Sequence, residues 1–380
     1  MKGNDNGQAS TGPTIGSVTL PSPLVVAPMA GMTDTAFRRL VKRNGGCGLV
    51  VTEMVSSEGL VRGIDRTLEY AEYTEEERPV SIQIFGGDPE KMAAAAQVVE
   101  GMGADIVDVN MGCPVHKIAK HHAGCSLMRE PAHAADVIRA MTKAVRIPVT
   151  VKMRAGWNHA SRNAPELARR VQDAGAAAVT IHGRTAEQSY SGRADWDLVA
   201  QVANDLVIPV FGSGDCVEAE EIVARLQSGV SGVLVGRGVL RNPWILSQAA
   251  ALVSGRTPAV ITTHARGEFL RAYVRLLLDE HGNEAAGFRH IAPGTTDDGS
   301  PHVAASIQGH APARGRDRWV INKVRALCAW YSKGLDGGAQ LRTRINTADS
   351  LMQLDDIIGT FFFCEPAEPT EPARVAVGAS

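Results

Sequence analysis

The sequence predicts a (β/α)8 barrel followed by a helical domain. Eight short runs rich in Val and Ile recur along the chain, and a segment with helical periodicity follows most of them. These units occupy roughly 230 residues, which is the usual size of such a barrel. The runs are almost continuously apolar, as expected of parallel strands that are covered on both faces. After residue 258 the strand-like runs stop and helical patterns continue.

The eight predicted strands follow one another at regular spacing. They are PLVVAPMAG (23–31), CGLVVTEMV (47–55), PVSIQIFGG (79–87), ADIVDVNMG (104–112), IPVTVKMRAGW (147–157), AAVTIHGRT (177–185), IPVFGSGD (208–215) and SGVLVGRGV (231–239). The helical segments between them begin with Asp, Thr or Pro and end with Gly, which is normal capping chemistry. A doubly wound open sheet is the alternative fold, but it usually has fewer strands, and APMAGMTD lacks the GxGxxG of its first turn.

Composition shifts divide the chain further. We expect a disordered leader at 1–16, a barrel at 17–257, a helical domain at 258–364 with a flexible insertion at about 290–315, and a disordered tail at 365–380. The leader lacks the apolar core of a signal peptide, and no apolar run approaches the ~20 residues of a membrane helix. The six cysteines form no CxxC pair, which argues against disulfides or a zinc ribbon. These features predict a cytoplasmic enzyme with no membrane segment.

Polar residues stand where the predicted strands end. In barrels of this kind, reactive groups cluster at the C-terminal ends of the strands. So many polar groups in an apolar barrel require partners, and a bound ligand would supply them. The GSGD and VGRG loops occupy positions where barrels bind phosphate, although glycine also serves tight turns. Lys152 suits the anionic edge of a cofactor or a structural carboxylate, and His182 suits a ligand site or a satisfied core position.

The stretch NMGCPVHKIAKHHAGC (110–125) allows three interpretations: a metal site, a phosphate loop, or a loop that presents one thiol. The spacing of its thiols and histidines does not match a zinc finger or ribbon. Its glycines are too far apart to form one anion-binding nest. The third interpretation is favoured, because Gly112 and Pro114 shape a tight turn on either side of Cys113. The formal net charge of −2 argues against a wholly basic nucleic-acid binder and leaves a local basic face open.

Several motifs occur together in one order: PMAGMTDTAFR, TEM, IQIFGGDP, DVNMGCP, VKMRAGW, TIHGRT, GSGD and VGRG with NPW. This ordered set resembles the tRNA-dihydrouridine synthases, most closely their bacterial B-type branch. The resemblance is dense from about residue 17 to 250 and weaker in the helical domain, where WYSKGL and LRTRIN carry it. It implies an oxidoreductase that uses FMN and NADPH to reduce the C5=C6 bond of particular uridines in tRNA. The expected partner is a tRNA with a flipped D-loop uridine, and the expected state is a monomer.

The resemblance also implies roles for individual residues. The cofactor would be bound by Pro28, Met29, Ala30, Gln83, Lys152, His182, Ser213, Gly214, Asp215, Gly236 and Arg237. Cys113 would be the general acid that protonates C5 once a hydride reaches C6. The tRNA substrate would contact Asn110, Lys117, Arg154, Arg184, Arg318, Lys323, Arg325, Arg342 and Arg344. The basic residues among them also suit ordinary solvated helix faces. No metal ligand is expected, and Ser213 departs from the Asn that is frequent in the family.

Two other functions compete with this one. An FMN barrel oxidoreductase that acts on a free pyrimidine, such as a dihydroorotate or dihydropyrimidine dehydrogenase, would share the fold and a loop cysteine. The helical domain argues against it, because a small substrate does not require one. A non-catalytic RNA-binding protein on a barrel scaffold would be colourless when purified, whereas a flavoprotein is yellow.

Overall fold

The computed structural model describes residues 12–115, 123–279 and 313–363. Eight parallel strands in this part of the chain close into a barrel, because each pairs with the next and the last pairs with the first. The barrel strands are β3 (Leu24–Val26), β4 (Leu49–Val51), β6 (Val80–Phe85), β7 (Ile106–Met111), β8 (Val149–Arg154), β9 (Ala178–His182), β10 (Val210–Ser213) and β11 (Gly232–Val235). Each of the eight predicted runs contains one of them. The predicted barrel is confirmed, and the open-sheet alternative is excluded by the closure.

Helices surround the barrel and form the domain that follows it. Around the barrel lie α1 (Thr35–Asn44), α2 (Ser57–Val61), α3 (Asp65–Ala71), α4 (Pro89–Gly101), α5 (Pro131–Ala144), α6 (Ala164–Asp173), α7 (Trp196–Asp205), α8 (Ala219–Leu226), α9 (Arg237–Arg241) and α10 (Ile245–Val253). The helical domain contains α11 (Thr263–Asp279), α12 (Ala313–Tyr331), α13 (Gly338–Thr347) and α14 (Leu351–Phe362). Short 3-10 turns occupy Glu75–Glu77 and Gly124–Arg129, and a short strand β5 (Val55–Ser56) extends β6. Within the described ranges, no helix combines the length and the apolarity needed to cross a membrane.

Alternation along each strand separates two cores. In β7, Val107, Val109 and Met111 face outward and pack in the large core between the strands and the helices. Ile106 faces inward and belongs to a separate apolar cluster that fills the lower barrel. Asp108 and Asn110 follow at alternate positions, so they also face the interior, one and two steps higher. The interior is therefore apolar at the bottom and polar towards the C-terminal ends of the strands.

A hairpin closes the bottom of the barrel. Strands β1 (Thr14–Ile15) and β2 (Val18–Thr19) pair antiparallel, and Gly12 N donates to Leu20 O at 2.8 Å. Ile15 and Leu20 are buried in the interior cluster and plug the barrel from below.

The leader predicted at 1–16 is therefore wrong at its end, because burial of Ile15 orders the last residues of that segment. Most of the predicted leader and insertion, and the whole predicted tail, lie outside the described residues; residues 313–315 of the insertion belong to α12.

Aromatic packing attaches the helical domain to the barrel. Phe37 of α1 makes edge-to-face contacts with Phe269 and Tyr273 of α11, with ring centroids 6.3 Å and 6.5 Å apart. Phe269 also stacks on Tyr331 of α12 at 5.6 Å and contacts Trp244 at 5.3 Å. Such pairs contribute about 0.5–1.5 kcal/mol each beyond their area burial. The helical domain is thus held against the side of the barrel near the N-terminus of α1.

Candidate active site at the barrel mouth

Strand register brings the predicted site residues into one arc. Asn110 of β7 pairs with Lys152 of β8, and Arg154 of β8 pairs with His182 of β9. His182 pairs in turn with Ser213 of β10. Neighbouring strands lie about 4.8 Å apart, so adjacent members of this arc are close enough to share one ligand. Residues that are distant in sequence therefore line a continuous part of the mouth.

A buried chain of hydrogen bonds runs beneath the mouth. Thr150 and Gln83 both donate to the Asp108 carboxylate, at 2.6 Å and 2.7 Å. Asn110 Nδ2 then donates to Gln83 Oε1 at 2.8 Å. Burial raises the pKa of Asp108, and its two donors act against this rise. Gln83 is fully buried with both ends of its amide engaged, so it orients Asn110.

Asn110 holds the loop that carries Cys113. Its Oδ1 accepts the N–H groups of Gly112 at 3.1 Å and Cys113 at 2.9 Å. From the other side, Cys125 N donates to Cys113 O at 3.1 Å. Cys113 is half-buried, whereas Cys125 is fully buried and burial raises its pKa to about 11. Cys113 is thus the more accessible of the two thiols, and its role as the presented thiol stays a prediction. Lys117 and the adjacent histidine pair at 121–122 lie outside the described residues.

His182 and Lys152 have strongly shifted pKa values. Burial, followed by the charges of Lys152, Arg154, Arg184 and Arg237, lowers the pKa of His182 to about 2. The imidazole is therefore neutral, and its Nδ1 accepts the Arg184 N–H at 3.2 Å, which leaves the proton on Nε2. Burial and the neighbouring Arg154 lower the pKa of Lys152 to about 8. An anion bound between these residues would restore the full charge of Lys152.

Arg154 and Arg184 are buried, and the 183–195 loop takes up most of their donors. Arg154 donates to Gly112 O and to two carbonyl oxygens of that loop, at 2.8–3.0 Å. Arg184 donates to two further carbonyls of the loop and pairs with Asp215 at 2.6 Å. These contacts fix the shape of the mouth. Arg184 Nη1 nevertheless stays buried without a hydrogen-bond partner among the described residues.

The two glycine loops lie beside this arginine. Gly214 has φ +123°, and an added Cβ would lie 2.6 Å from Ala194 Cβ, 3.5 Å from His182 Cε1 and 3.7 Å from Arg184 Nη1. The positive φ and the close approach of Ala194 both require glycine here. Asp215 turns away, because its carboxylate accepts the Ala194 N–H at 2.7 Å and pairs with Arg184. These two partners outweigh burial and lower the pKa of Asp215. Asp215 therefore shapes the loop, while Gly214 lets its backbone pass close to Ala194, His182 and Arg184.

Tyr190 is a mouth residue that the motifs do not reveal. It is 60% exposed, and the guanidinium groups of Arg237 and Arg154 lie 4.6 Å and 5.9 Å from its ring centroid. An exposed aromatic ring held by two cations offers a flat stacking surface. The sequence signal that could have revealed it is the position of Tyr190 in QSYSG, a few residues after Arg184 at the end of a predicted strand.

Comparison with known proteins identifies the family. The model of the dihydrouridine synthase family matches residues 25–300, which is most of the chain. The chain belongs to the dihydrouridine synthase family. It is 44% identical over 358 residues to a "Probable tRNA-dihydrouridine synthase 1" from Synechocystis, covering 92% of this chain and 90% of that one. It is 34% identical over 351 residues to a "Probable tRNA-dihydrouridine synthase" from Rickettsia conorii, covering 92% and 96%.

A B-type relative is also similar. A "tRNA-dihydrouridine synthase B" from Xanthomonas campestris is 40% identical over 237 residues, which cover 62% of this chain and 71% of that protein. The resemblance carried by the ordered motifs is thereby confirmed for the family.

The basic residues predicted in the helical domain separate into two groups. Arg318 and Arg344 are exposed. Arg325 donates to the carbonyls of Ile345 and Ala348 at 3.3 Å and 2.8 Å, so it holds the end of α13. Arg342 donates to Ser332 Oγ at 2.8 Å, and Lys323 forms ion pairs with carboxylates of the barrel. Among the described residues, no hydrogen bond or ion pair joins any of these five residues to another of the group. Their binding of tRNA stays a prediction.

The mouth fits the flavin of a dihydrouridine synthase. Arg184 Nη1 is a buried donor that needs an acceptor, and an anionic group near Gly214 would supply it. Burial and Arg154 lower the pKa of Lys152 more than the Asp108 carboxylate raises it, so a further anion would stabilise the charged lysine. At Gly236, an added Cβ would make ordinary van der Waals contact with Met29 Sδ at 3.6 Å and Ala27 Cβ at 3.8 Å, so this loop packs against the loop that follows β3. Met29 itself is half-buried and its N–H is tied to Thr33 Oγ1 at 3.0 Å, while Pro28 is half-buried and Ala30 exposed.

Proposed function

We propose that this protein reduces uridines of tRNA to 5,6-dihydrouridine, with FMN as its cofactor and NADPH as its reductant. One observation carries the proposal. A half-buried thiol on a tethered loop, a neutral imidazole and a lysine of lowered pKa converge at one barrel mouth in a member of the dihydrouridine synthase family. The names of the relatives support tRNA as the substrate. The helical domain beside the mouth supports a substrate much larger than a free pyrimidine.

The cofactor would occupy the arc described above. Lys152 would face its anionic edge, and His182 would donate its Nε2 proton to an acceptor on the ring. Reduced FMN, when bound, would supply the hydride that adds to C6 of the uracil. The backbone of Gly214 and Gly236 and the side chain of Arg237 would hold the phosphate end. The remaining proposed contacts come from Pro28, Met29, Ala30, Gln83, Ser213 and, through the loop it shapes, Asp215.

Cys113 would complete the reduction. Addition of a hydride at C6 leaves an electron pair at C5, and the thiol S–H of Cys113 donates its proton there. The resulting thiolate then recovers a proton from water, so no further reductant is consumed. Asn110 and Cys125 hold the loop backbone on either side of Cys113, which fixes the position of the acid before the substrate arrives.

The uridine must leave its stack to reach this depth. Tyr190 would offer its exposed ring as a stacking surface near the entrance. Arg318 and Arg344, both exposed on the helical domain, would contact phosphates of the tRNA. Arg154 and Arg184 would act on the substrate through the loop they hold.

The test measures dihydrouridine in tRNA by mass spectrometry. Cells that lack the protein should lose part of their dihydrouridine, and a wild-type copy should restore it. A Cys113→Ala copy should restore little, because loss of a general acid slows the proton-transfer step about 10²–10⁴-fold. Cys125→Ala is the matched control: it removes a buried thiol of the same stretch and should leave turnover within about threefold, since Cys125 holds Cys113 through its backbone.

Three results would contradict the proposal or its parts. Unchanged dihydrouridine in the deletion strain would refute the substrate. Purified protein that is colourless and binds no FMN would favour a non-catalytic RNA-binding role. Turnover of free orotate or uracil at a rate that tRNA does not exceed would favour the small-molecule oxidoreductase.

A further inference from the structure

A lysine of the helical domain reaches the barrel mouth. Lys323 of α12 places its Nζ 3.1 Å from Asp34 Oδ2 and 3.7 Å from Glu53 Oε1. The side chains of Lys323, Asp34 and Glu53 are only 15%, 12% and 5% exposed. Tyr273 of α11 adds a hydrogen bond from its hydroxyl to Asp34 Oδ2 at 2.8 Å. Two helices of one domain therefore converge on two carboxylates of the other.

Both carboxylates hold the loop that follows β3. Glu53 Oε2 accepts the N–H of Gly31 at 2.5 Å, directly after the proposed cofactor contacts Pro28–Ala30. Asp34 Oδ1 accepts the N–H of Phe37 at 2.9 Å and so caps α1, where the loop ends. One carboxylate thus fixes the middle of the 28–34 loop, and the other fixes its exit.

Lys323 faces two carboxylates of the protein itself. Burial alone would lower the pKa of Lys323, but the Asp34 and Glu53 carboxylates raise it, so the ammonium stays charged. Burial raises the pKa of Glu53, and the charge of Lys323 is the main factor that opposes this rise. A lysine paired in this way has little charge left for a phosphate of tRNA. Lys323 is therefore engaged in ion pairs inside the protein, whereas Arg318 and Arg344 are exposed.

We propose that Lys323 is a positioning residue that couples the helical domain to the cofactor loop. By pairing with Glu53 and Asp34, it holds residues 28–34 in the shape that receives FMN. The inference rests on the proposed function, because it takes FMN as the ligand of this loop. It changes the assignment of Lys323 from a contact of tRNA to a contact between domains.

Loss of the lysine should act through Glu53. In Lys323→Met, Glu53 faces Asp34 and the guanidinium of Arg38, without its nearest counter-charge. Glu53 should then take up a proton more readily and lose its charge-assisted bond to Gly31. FMN affinity should fall about tenfold near neutral pH, within the usual range of coupling between sites. The loss should be larger at pH 6 than at pH 9, because protonation of Glu53 favours the loosened loop.

The experiment titrates cofactor-free protein with FMN and follows the quenching of flavin fluorescence. Lys323→Met should bind FMN about tenfold more weakly, and Lys323→Arg should recover most of the affinity. Lys333→Met is the matched control, since Lys333 is an exposed lysine just after α12, and FMN affinity should not change. Glu53→Gln should also weaken FMN binding, and adding Lys323→Met to it should have a smaller effect than Lys323→Met alone.

Different results of these measurements would refute the coupling between the domains or the proposed function. Unchanged FMN affinity in both Lys323→Met and Glu53→Gln overturns the coupling, whatever happens to tRNA. Weaker tRNA binding with a salt dependence reduced by about one counter-ion, at constant FMN affinity, would return Lys323 to the phosphate contacts. If Lys323→Met does not fold, Glu53→Gln and Lys323→Arg still decide the matter. Wild-type protein that binds no FMN refutes the proposed function and the inference with it.

Discussion

Asn110→Ala tests whether the cysteine loop is held by the buried network beneath it. The substitution removes the acceptor of the Gly112 and Cys113 N–H groups and the donor to Gln83 Oε1. Gly112 and Gln83 are buried, so each would be left with an unsatisfied group. Cys113 is half-buried and its N–H can turn to water.

The expected loss of stability follows from these contacts. Two unsatisfied buried groups at about 1–3 kcal/mol each give about 2–6 kcal/mol. Because Asn110 is 8% exposed, water can enter the space and reduce the loss, which places the expectation at about 2–3 kcal/mol. A loop displaced by about 1 Å would also lower kcat about 10²-fold.

The assay compares the free energy of unfolding in urea for Asn110→Ala and Cys113→Ala. Cys113→Ala keeps all the backbone hydrogen bonds of the loop and should cost less than about 1 kcal/mol. It should nevertheless lose as much activity as Asn110→Ala or more. Equal stability of the two variants would refute the argument that Asn110 supports the loop.

Three further predictions concern charge and packing. The pKa of Lys152 is about 8 in the folded protein, below its unfolded value, so the unfolded chain binds more protons between about pH 8 and 10.4. Lys152 therefore makes the cofactor-free protein more stable as the pH rises through this window. Lys152→Met should remove this part of the rise in the free energy of unfolding with pH, measured by urea titration. The prediction is contradicted if the free energy of unfolding depends on pH in the same way in both proteins. Arg325→Ala should destabilise the protein by about 1–2 kcal/mol through the freed carbonyls of α13, whereas Arg344→Ala should leave stability unchanged and weaken tRNA binding in filter-binding assays; the reverse pattern would exchange their roles. Arg38→Met should cost about 3–5 kcal/mol in thermal unfolding, because it leaves the buried Glu77 carboxylate without its cationic partner. A loss below about 1 kcal/mol would show that the donors of Thr35 and Thr74 suffice to hold this carboxylate.

The barrel and much of its mouth follow from local sequence patterns. In β7, apolar residues at 107, 109 and 111 alternate with Ile106, Asp108 and Asn110, so the polar side chains share the inner face. Parallel register then places Asn110 beside Lys152, and His182 beside Ser213, because all strand ends meet at one rim. For this reason, the strand-end residues of the sequence predict which polar side chains lie side by side at the mouth.

Other features depend on contacts between distant segments, which no local pattern records. Arg154 and Arg184 stand at strand ends, where ligand-binding residues are expected, yet the 183–195 loop folds over them and accepts most of their hydrogen bonds. Lys323 looks like any basic residue on a helix until α12 docks against Asp34 and Glu53. The polar segment before Ile15 resembles a leader, and only the open bottom of the barrel explains why it is ordered.

The hairpin that closes the bottom of the barrel also determines from which end molecules can enter it. With Ile15 and Leu20 sealing one end, the space left inside the barrel is about 20 Å³, room for about one water molecule. In the part of the chain that the structure describes, the barrel is thus a cup, with its chemistry at the rim. On the proposed function, reductant and RNA would both have to enter through the mouth of the barrel. They would have to take turns, so we expect each to compete with the other for the enzyme.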